Sequence, residues 1–244
     1  MTKQSIVIVP AKANSSRVPR KNFRPFHKGK SLVDITLDTL VEANLDCPLI
    51  LSTDNTDYRY PHNSVSIFPR SSSLSKFETP ILDVLKQILQ SFNSNDILNV
   101  ILVQPTSPFR TTSDFRSFFS FSRGLHLKDE TISASTTIFS TYRVEDAHPA
   151  RMYFTDNSSL IPVLSQQADL QCQDLSDCFH RNGCFYSFSP DSLNSNRLYS
   201  SSLRNYNMPY ISSLNIDTPT DFNLAQLAYP SFLTNEISLL PSLD

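Results

Sequence analysis

The chain has 244 residues, of which 39% are hydrophobic, and a formal net charge of -2 at pH 7. That length and apolar content suit one large α/β domain, with or without a small appendage. A near-neutral balance excludes the basic excess of a general nucleic-acid binder, so any anion site has to be local.

Taken in order, the run Ser5-Ile6-Val7-Ile8-Val9 reads as a buried strand, followed by a loop to Asn22 that carries Lys12, Arg17, Arg20 and Lys21. Open α/β sheets place ligands at the carboxyl ends of their strands. Clustered cations among small residues that expose backbone N–H groups suit a polyphosphate there, or else simply form a solvated surface loop. Ser31 to Asn44 has a helical apolar face at Leu32, Ile35, Leu40, Val41 and Ala43. Pro48-Leu49-Ile50-Leu51-Ser52 and Val65-Ser66-Ile67-Phe68 are the next strands.

Thr79-Pro80 predicts a helix start, with Thr79 as N-cap and Pro80 first in the helix, followed by Ile81, Val84, Leu85, Ile88, Leu89 and Phe92 at helical spacing. Asn99-Val100-Ile101-Leu102-Val103 has the continuous apolar character of a central parallel strand. It ends at Gln104-Pro105-Thr106-Ser107-Pro108. A helix from Ser113 to about Arg123 and a strand near Ile132 to Ile138 are expected next. Phe139 to His180 is polar and broken, and reads as an insertion of short strands and loops. Cys184 to Phe188 returns to the sheet, Thr218-Pro219-Thr220 starts a last helix to about Ala228, and residues 229–244 read as a loosely packed tail. Alternating strands and helices predict an α/β fold on a mostly parallel sheet, with residues 1–228 forming one domain.

Cys47, Cys172, Cys178 and Cys184 show no zinc-type spacing and are expected to be reduced thiols. No apolar run reaches the ~20 residues that span a bilayer. Met1 to Gln4 leads into a strand without a signal-peptide pattern, so a cytoplasmic protein with no membrane contact is expected. Only Gly29, Gly124 and Gly183 are glycines, so Asn, Asp or Ser must fill most tight backbone positions.

Five segments in chain order resemble the acylneuraminate cytidylyltransferases, the CMP-sialic acid synthetases. They are Arg17-Val18-Pro19-Arg20-Lys21-Asn22-Phe23-Arg24-Pro25-Phe26, Ser52-Thr53-Asp54, Gln104-Pro105-Thr106-Ser107, Arg181-Asn182-Gly183 and Asn215-Ile216-Asp217-Thr218. KDO cytidylyltransferases share a Ser-Arg-x-Pro element but lack the Arg-Lys-Asn continuation. The resemblance, from Ile6 to about Ala228, implies a Rossmann-like (GT-A-like) nucleotidyltransferase. In it CTP and a nonulosonic acid react with Mg²⁺ to give a CMP-sugar and pyrophosphate. Such transfers rely on positioning and charge neutralisation.

The resemblance implies nucleotide contacts at Ala11, Lys12, Arg17, Lys21, Asn22 and Arg70, and sugar contacts at Gln104, Thr106, Ser107, Arg151, Asn182 and Gly183. Lys21 and Asp217 take the catalytic roles, and Asp217 with Asn215 the metal. The insertion at residues 139–180 would form a homodimer, with Arg151 reaching toward the sugar acid. Read from their residue types alone, Arg70 and Arg151 are equally surface arginines, and Asn182-Gly183 a tight turn. No histidine falls in a shared motif, so a general base is not assigned. The chain departs from the family at Lys12-Ala13-Asn14, where Arg-Gly-Gly is usual, at Asn215 for an aspartate, and at Cys172 for an arginine. Three alternatives therefore stay open: transfer to another acidic sugar such as KDO, a catalytically weakened binding homologue, and a ligand-free oligomerisation protein.

Overall fold

A computed structural model describes residues 3–128, 136–194 and 202–234. The first strand, β1 (Gln4–Ala11), is followed by a two-stranded ribbon, β2 (Pro25–His27) and β3 (Lys30–Ser31). Helix α1 (Leu32–Ala43) begins at a reciprocal cap: Ser31 accepts from the Asp34 N–H, and Asp34 accepts from the Ser31 N–H. It ends on Asn44 at φ 49°, a left-handed position filled by Asn rather than Gly. Asn157 and Ser158 fill two more such positions, as glycine scarcity leads one to expect, but Arg20 and Lys28 also adopt positive φ.

Strands β4 (Leu49–Thr53) and β5 (Val65–Pro69) precede α2 (Ile81–Leu89). Pro80, in extended conformation at ψ 141°, is the N-cap of α2, so the helix starts one residue later than the Thr79 cap implied. The Thr79 hydroxyl instead donates to the Ser73 carbonyl. Strand β6 (Ile97–Val103) is followed by α3 (Thr112–Lys128), which outlasts its expected end at Arg123 by more than a turn. The next strand, β7 (Thr136–Arg143), runs well past the expected boundary at Ile138, and the part of that expectation on residues 132–135 lies outside the described residues.

The insertion therefore begins after Arg143 and holds only a small hairpin, β8 (Tyr153–Asp156) with β9 (Ser159–Pro162), and short 3-10 turns. Strand β10 (Phe179–Phe188) absorbs the far end of the segment once read as insertion. After α4 (Pro190–Asn194) and β11 (Ser202–Asn207), α5 (Pro219–Leu233) closes the fold. Thr218 caps α5 reciprocally with Asp221. This helix continues five residues beyond Ala228, with Tyr229 buried against Phe26 and Phe109, so the start of the expected tail is packed and not loose, while its residues 235–244 lie outside the described residues.

The main sheet has the order β11-β7-β10-β6-β1-β4-β5. Strands β6, β1, β4 and β5 are mutually parallel, β7 pairs β11 in parallel, and β10 runs antiparallel between β6 and β7. Helices α1 and α3 cover one face through Val33, Leu37, Leu40, Phe115 and Phe118, while Leu82, Leu85 and Ile88 of α2 cover the other. This is the mostly parallel α/β architecture that the residue pattern predicts. It sets the carboxyl ends of β1, β4, β5 and β6 along one edge, and the segments starting at Lys12, Asp54, Arg70 and Gln104 leave from it. Among the described residues no helix is long and apolar enough to cross a membrane.

Candidate active site

Two clefts open along that edge and meet at Lys21, which lines both. The first, about 290 Å³, is bordered by the basic loop, Arg70, Phe77 and Thr79. Its shape depends on Asp54, whose carboxylate accepts the Ala13 N–H at 2.7 Å and pins the loop to the end of β4. Asn22, 8% exposed, donates to the Lys12 carbonyl, while its own side-chain oxygen is buried without a partner. Arg70 is 7% exposed, donates to the Ser52 carbonyl, and likewise leaves Nε unsatisfied. Orphaned buried polar atoms are costly, and these two line a cleft where a polar ligand can satisfy them.

Ala11 is fully buried at the end of β1 and lies beneath this cleft rather than in its wall. The Lys12 ammonium arches to the Lys76 carbonyl and stands 5.9 Å from the Phe77 ring centre. Burial, then the charge of Arg70, lowers its pKa. Arg17 is exposed and stands 3.6 Å from the Asp217 carboxylate.

Lys21 is 9% exposed. Its ammonium donates to the Ile216 carbonyl at 2.6 Å and lies 3.4 Å from Asp217 Oδ1. Desolvation lowers its pKa, and the Asp217 charge opposes that shift without cancelling it. Asp217 also accepts from the Asn215 amide at 3.0 Å. The Asn215–Thr218 segment ends no strand. It is a loop before α5, joined to the end of β6 by the Ile216 N–H bonding the Thr106 carbonyl at 2.8 Å.

The second cleft, about 520 Å³, is bordered by Gln104, Thr106, Asn182, Gly183 and Tyr186. Its wall rests on a register shift in β10: Arg181 pairs with Thr141, yet Tyr186 pairs with Phe139, so extra residues bulge out between them. Gly183 sits in that bulge at φ 77°, and a Cβ there would come within 2.9 Å of Gln104 Oε1. Glycine is required by conformation, since the Gln104 side chain could swing clear of a Cβ but the positive φ would remain. The Asn182 amide is committed to the scaffold: it accepts from Ser140 Oγ and the Cys184 N–H, and donates to Ser213 Oγ. These bonds hold the bulge. Ser107 is fully buried and reaches Asn215 at 3.5 Å, behind the cleft wall.

Arg151 is not brought to either cleft of this chain. Its guanidinium donates to the Ala168 and Leu170 carbonyls within the insertion. Cys172 lines a separate cavity at the base of the insertion with Arg143 and Gln173. All four cysteines are free thiols, as expected. His148 is a packing residue, bonded through its ring nitrogens to the Ala150 N–H and the Ser176 carbonyl.

Sequence reasoning missed three side chains. Phe77 presents an exposed ring to the first cleft, and Arg181 lines the second. Arg110 is buried and ties the Gln104 carbonyl (2.8 Å) to the Cys184 carbonyl (2.9 Å) and Thr36 Oγ1 (3.3 Å), joining the end of β6 to β10 and α1. Its position directly after Gln104-to-Phe109 was the available signal; burial lowers its pKa to about 10.

No group of three or more His, Cys, Asp or Glu side chains suited to a metal occurs among the described residues. Asp217 and Asn215 are hard oxygen donors, and one carboxylate with substrate phosphates is a donor set that fits Mg²⁺.

The family model described as cytidylyltransferase matches residues 6–226. A CMP-N,N'-diacetyllegionaminic acid synthase of Legionella pneumophila is 25% identical over 91% of this chain and 94% of its own. A pseudaminic acid cytidylyltransferase of Campylobacter jejuni is 22% identical over 93% and 96%. Among solved structures, CMP:2-keto-3-deoxy-manno-octonic acid synthetase complexed with CTP aligns with a TM-score of 0.65 at 12% identity, covering 94% of this chain and 99% of that one. A 4-diphosphocytidyl-2C-methyl-D-erythritol synthase from Anaerococcus prevotii aligns at 0.58, also at 12% identity, over 93% and 99%. With a two-cleft site at the carboxyl edge of its sheet and a family match spanning nearly its whole length, this chain belongs to the cytidylyltransferases, a family of nucleotidyltransferase enzymes.

Proposed function

We propose that the protein transfers the cytidylyl group of CTP to the anomeric hydroxyl of a nonulosonic acid, releasing pyrophosphate. The observation that carries this reading is the shared position of Lys21. It is the buried cation at the seam of two clefts, where a phosphate held in one meets a hydroxyl held in the other. The first cleft takes CTP. Asn22 and Arg70, each with an unsatisfied buried atom, provide fixed polar contacts, and Lys12, Arg17 and Lys21 provide charge for the triphosphate. The second cleft takes the sugar against Gln104 and Thr106, with Gly183 admitting it close to the backbone.

The hydroxyl oxygen gives up its proton to solvent and forms a bond to the α-phosphorus, as the bond from that phosphorus to the oxygen bridging to the β-phosphate breaks and pyrophosphate leaves with that oxygen. Lys21, held in place by the Ile216 carbonyl, neutralises charge on the reacting phosphate with no reorganisation. Mg²⁺, held by Asp217 and Asn215 together with phosphate oxygens, would add Lewis-acid charge neutralisation. The legionaminic and pseudaminic names of the relatives support a nine-carbon keto-acid substrate. A cytoplasmic location and a homodimer built through the insertion complete the reading.

The test is pyrophosphate release with CTP, Mg²⁺ and separate N-acetylneuraminic, legionaminic, pseudaminic and KDO acids. Turnover with at least one nine-carbon acid is expected, abolished by EDTA and restored by Mg²⁺. Lys21→Ala should lower kcat at least ~100-fold, the usual scale for one preorganised charge donor. Turnover with KDO alone would move the substrate assignment to that acid. No pyrophosphate from any acid overturns the reading.

A further inference from the structure

One exposed aromatic ring means little by itself, since scattered apolar side chains are normal on a protein surface. Phe77 differs by its place. It is 60% exposed and is the one aromatic side chain among the described residues that line the first cleft. Asn22 and Arg70 line the same cleft, and each holds a buried polar atom without a partner, an acceptor on Asn22 and the Nε donor on Arg70. An acceptor and a donor suit the polar edge of a planar heterocycle, and they leave its flat face uncovered. An aromatic ring is the side chain best shaped to cover such a face.

The segment before α2 sets the ring there. The Thr79 N–H bonds the Lys76 carbonyl at 3.3 Å, closing a turn with Phe77 at its second position. The Lys12 ammonium donates to the same carbonyl and stands 5.9 Å from the Phe77 ring centre, so the basic loop and this turn are tied together. Just ahead of it, Ser75 Oγ donates to the Ser71 carbonyl at 2.8 Å, which braces the 3-10 turn Ser72–Leu74. A side chain held in position before its ligand arrives loses little freedom on binding.

We infer that Phe77 stacks on the cytosine ring of CTP and forms the aromatic wall of the base site, on a turn held by Lys12. This assignment rests on the CTP reading above and adds to it the group that covers the face of the base. Stacking accepts any base, so Phe77 supplies affinity for the nucleoside and leaves the choice of base to polar atoms at its edge.

The chain contains no tryptophan, so Phe77→Trp places a single indole at the proposed contact. CTP and CMP should each quench its emission, whereas inorganic tripolyphosphate, which carries charge without a base, should not. Phe77→Ala should raise KM for CTP by ~10-fold, the scale of one base–ring stack, with less effect on kcat and on KM for the sugar acid. Phe77→Tyr keeps the flat ring and should stay within about threefold of the wild type. Phe77→Leu keeps apolar bulk alone and should resemble Phe77→Ala. The KM series decides by itself if Phe77→Trp shows no CTP-dependent rise in melting temperature. Emission quenched equally by tripolyphosphate, or untouched by CTP that still raises the melting temperature, overturns the role of Phe77, as does a wild-type KM in Phe77→Ala or Phe77→Leu. Each of those results leaves the cytidylyl-transfer reading standing. A wild type with neither turnover nor a CTP-dependent rise in melting temperature overturns both.

Discussion

Asp217 accepts from Lys21 and Asn215 and forms an ion pair with Arg17 at 3.6 Å, so one carboxylate balances two cations and orients an amide. With Asn at position 215, a divalent cation would find one charged ligand and depend heavily on the phosphates for the rest. Asn215→Asp supplies a second carboxylate next to Ser107 Oγ, which lies 3.5 Å from Asn215 Oδ1 and can donate to it. The expected outcome is a Mg²⁺ concentration for half-maximal activity lower by ~10-fold, the effect of about 1.4 kcal/mol. Titration of activity against Mg²⁺ measures it, and an unchanged or higher requirement means that position 215 does not face the metal. The residues behind this prediction were legible in sequence because each sits in a short local motif. Phe77 was not, because its place follows from the packing of a loop beside β5; Arg181 and Arg110 stand in or directly after shared segments, but their partners are set by the β10 bulge and by a bond from the segment after β6 to β10.

At the scale of elements, the sheet was legible wherever strands are apolar on both faces, as in β1, β4 and β6, because burial forces continuous hydrophobic runs. It was not legible where polar residues are buried in a hydrogen-bonded group. Helix α3 continues past Arg123 and brings His126 within 3.1 Å of Ser187 Oγ, into a network with Asn99, Ser122 and Ser5. Ser187 Oγ already accepts from Asn99 and Ser122, so its own proton is available to an unprotonated imidazole. Burial lowers the His126 pKa from 6.5 to about 4. Between those values the unfolded chain binds the proton and the folded chain does not. Stability from this group is therefore complete above pH 6.5 and falls as pH drops toward 4. The loss from pH 7.5 to pH 5 should be about 2 kcal/mol, by linkage over the shift. His126→Gln keeps a polar partner for Ser187 without a titrating ring, so its urea midpoint should fall less over the same interval. Parallel pH profiles for both proteins would remove His126 as the cause.

At the scale of the whole molecule, the insertion is the part that one chain leaves unfinished. Strands β8 and β9 form a sheet of their own, and Phe154, Leu160 and Ile161 are 64%, 68% and 48% exposed. A two-stranded hairpin with little covering it is marginal in water, and Phe154 and Ile161, paired across the two strands, put an exposed apolar pair on one of its faces, with Leu160 opposite Thr155 on the other. A second copy of the chain, docked through the same hairpin, would bury Phe154 and Ile161 on both sides, since a two-fold contact uses one patch twice. It would also give Arg151 and Cys172, which reach neither cleft of their own chain, a neighbouring molecule to face. The expected state in solution is therefore a dimer, read by light scattering after size exclusion. Phe154→Asp combined with Ile161→Asp should shift it to monomer by placing charges in a dry contact. Because Lys21 and Asn22 lie on a loop held by Asp54 and the Asn215–Asp217 segment, far along the chain from the hairpin, the monomeric variant should keep its CTP-dependent rise in melting temperature. A wild type that is monomeric at tens of micromolar, or a double variant that remains dimeric, would place the interface elsewhere.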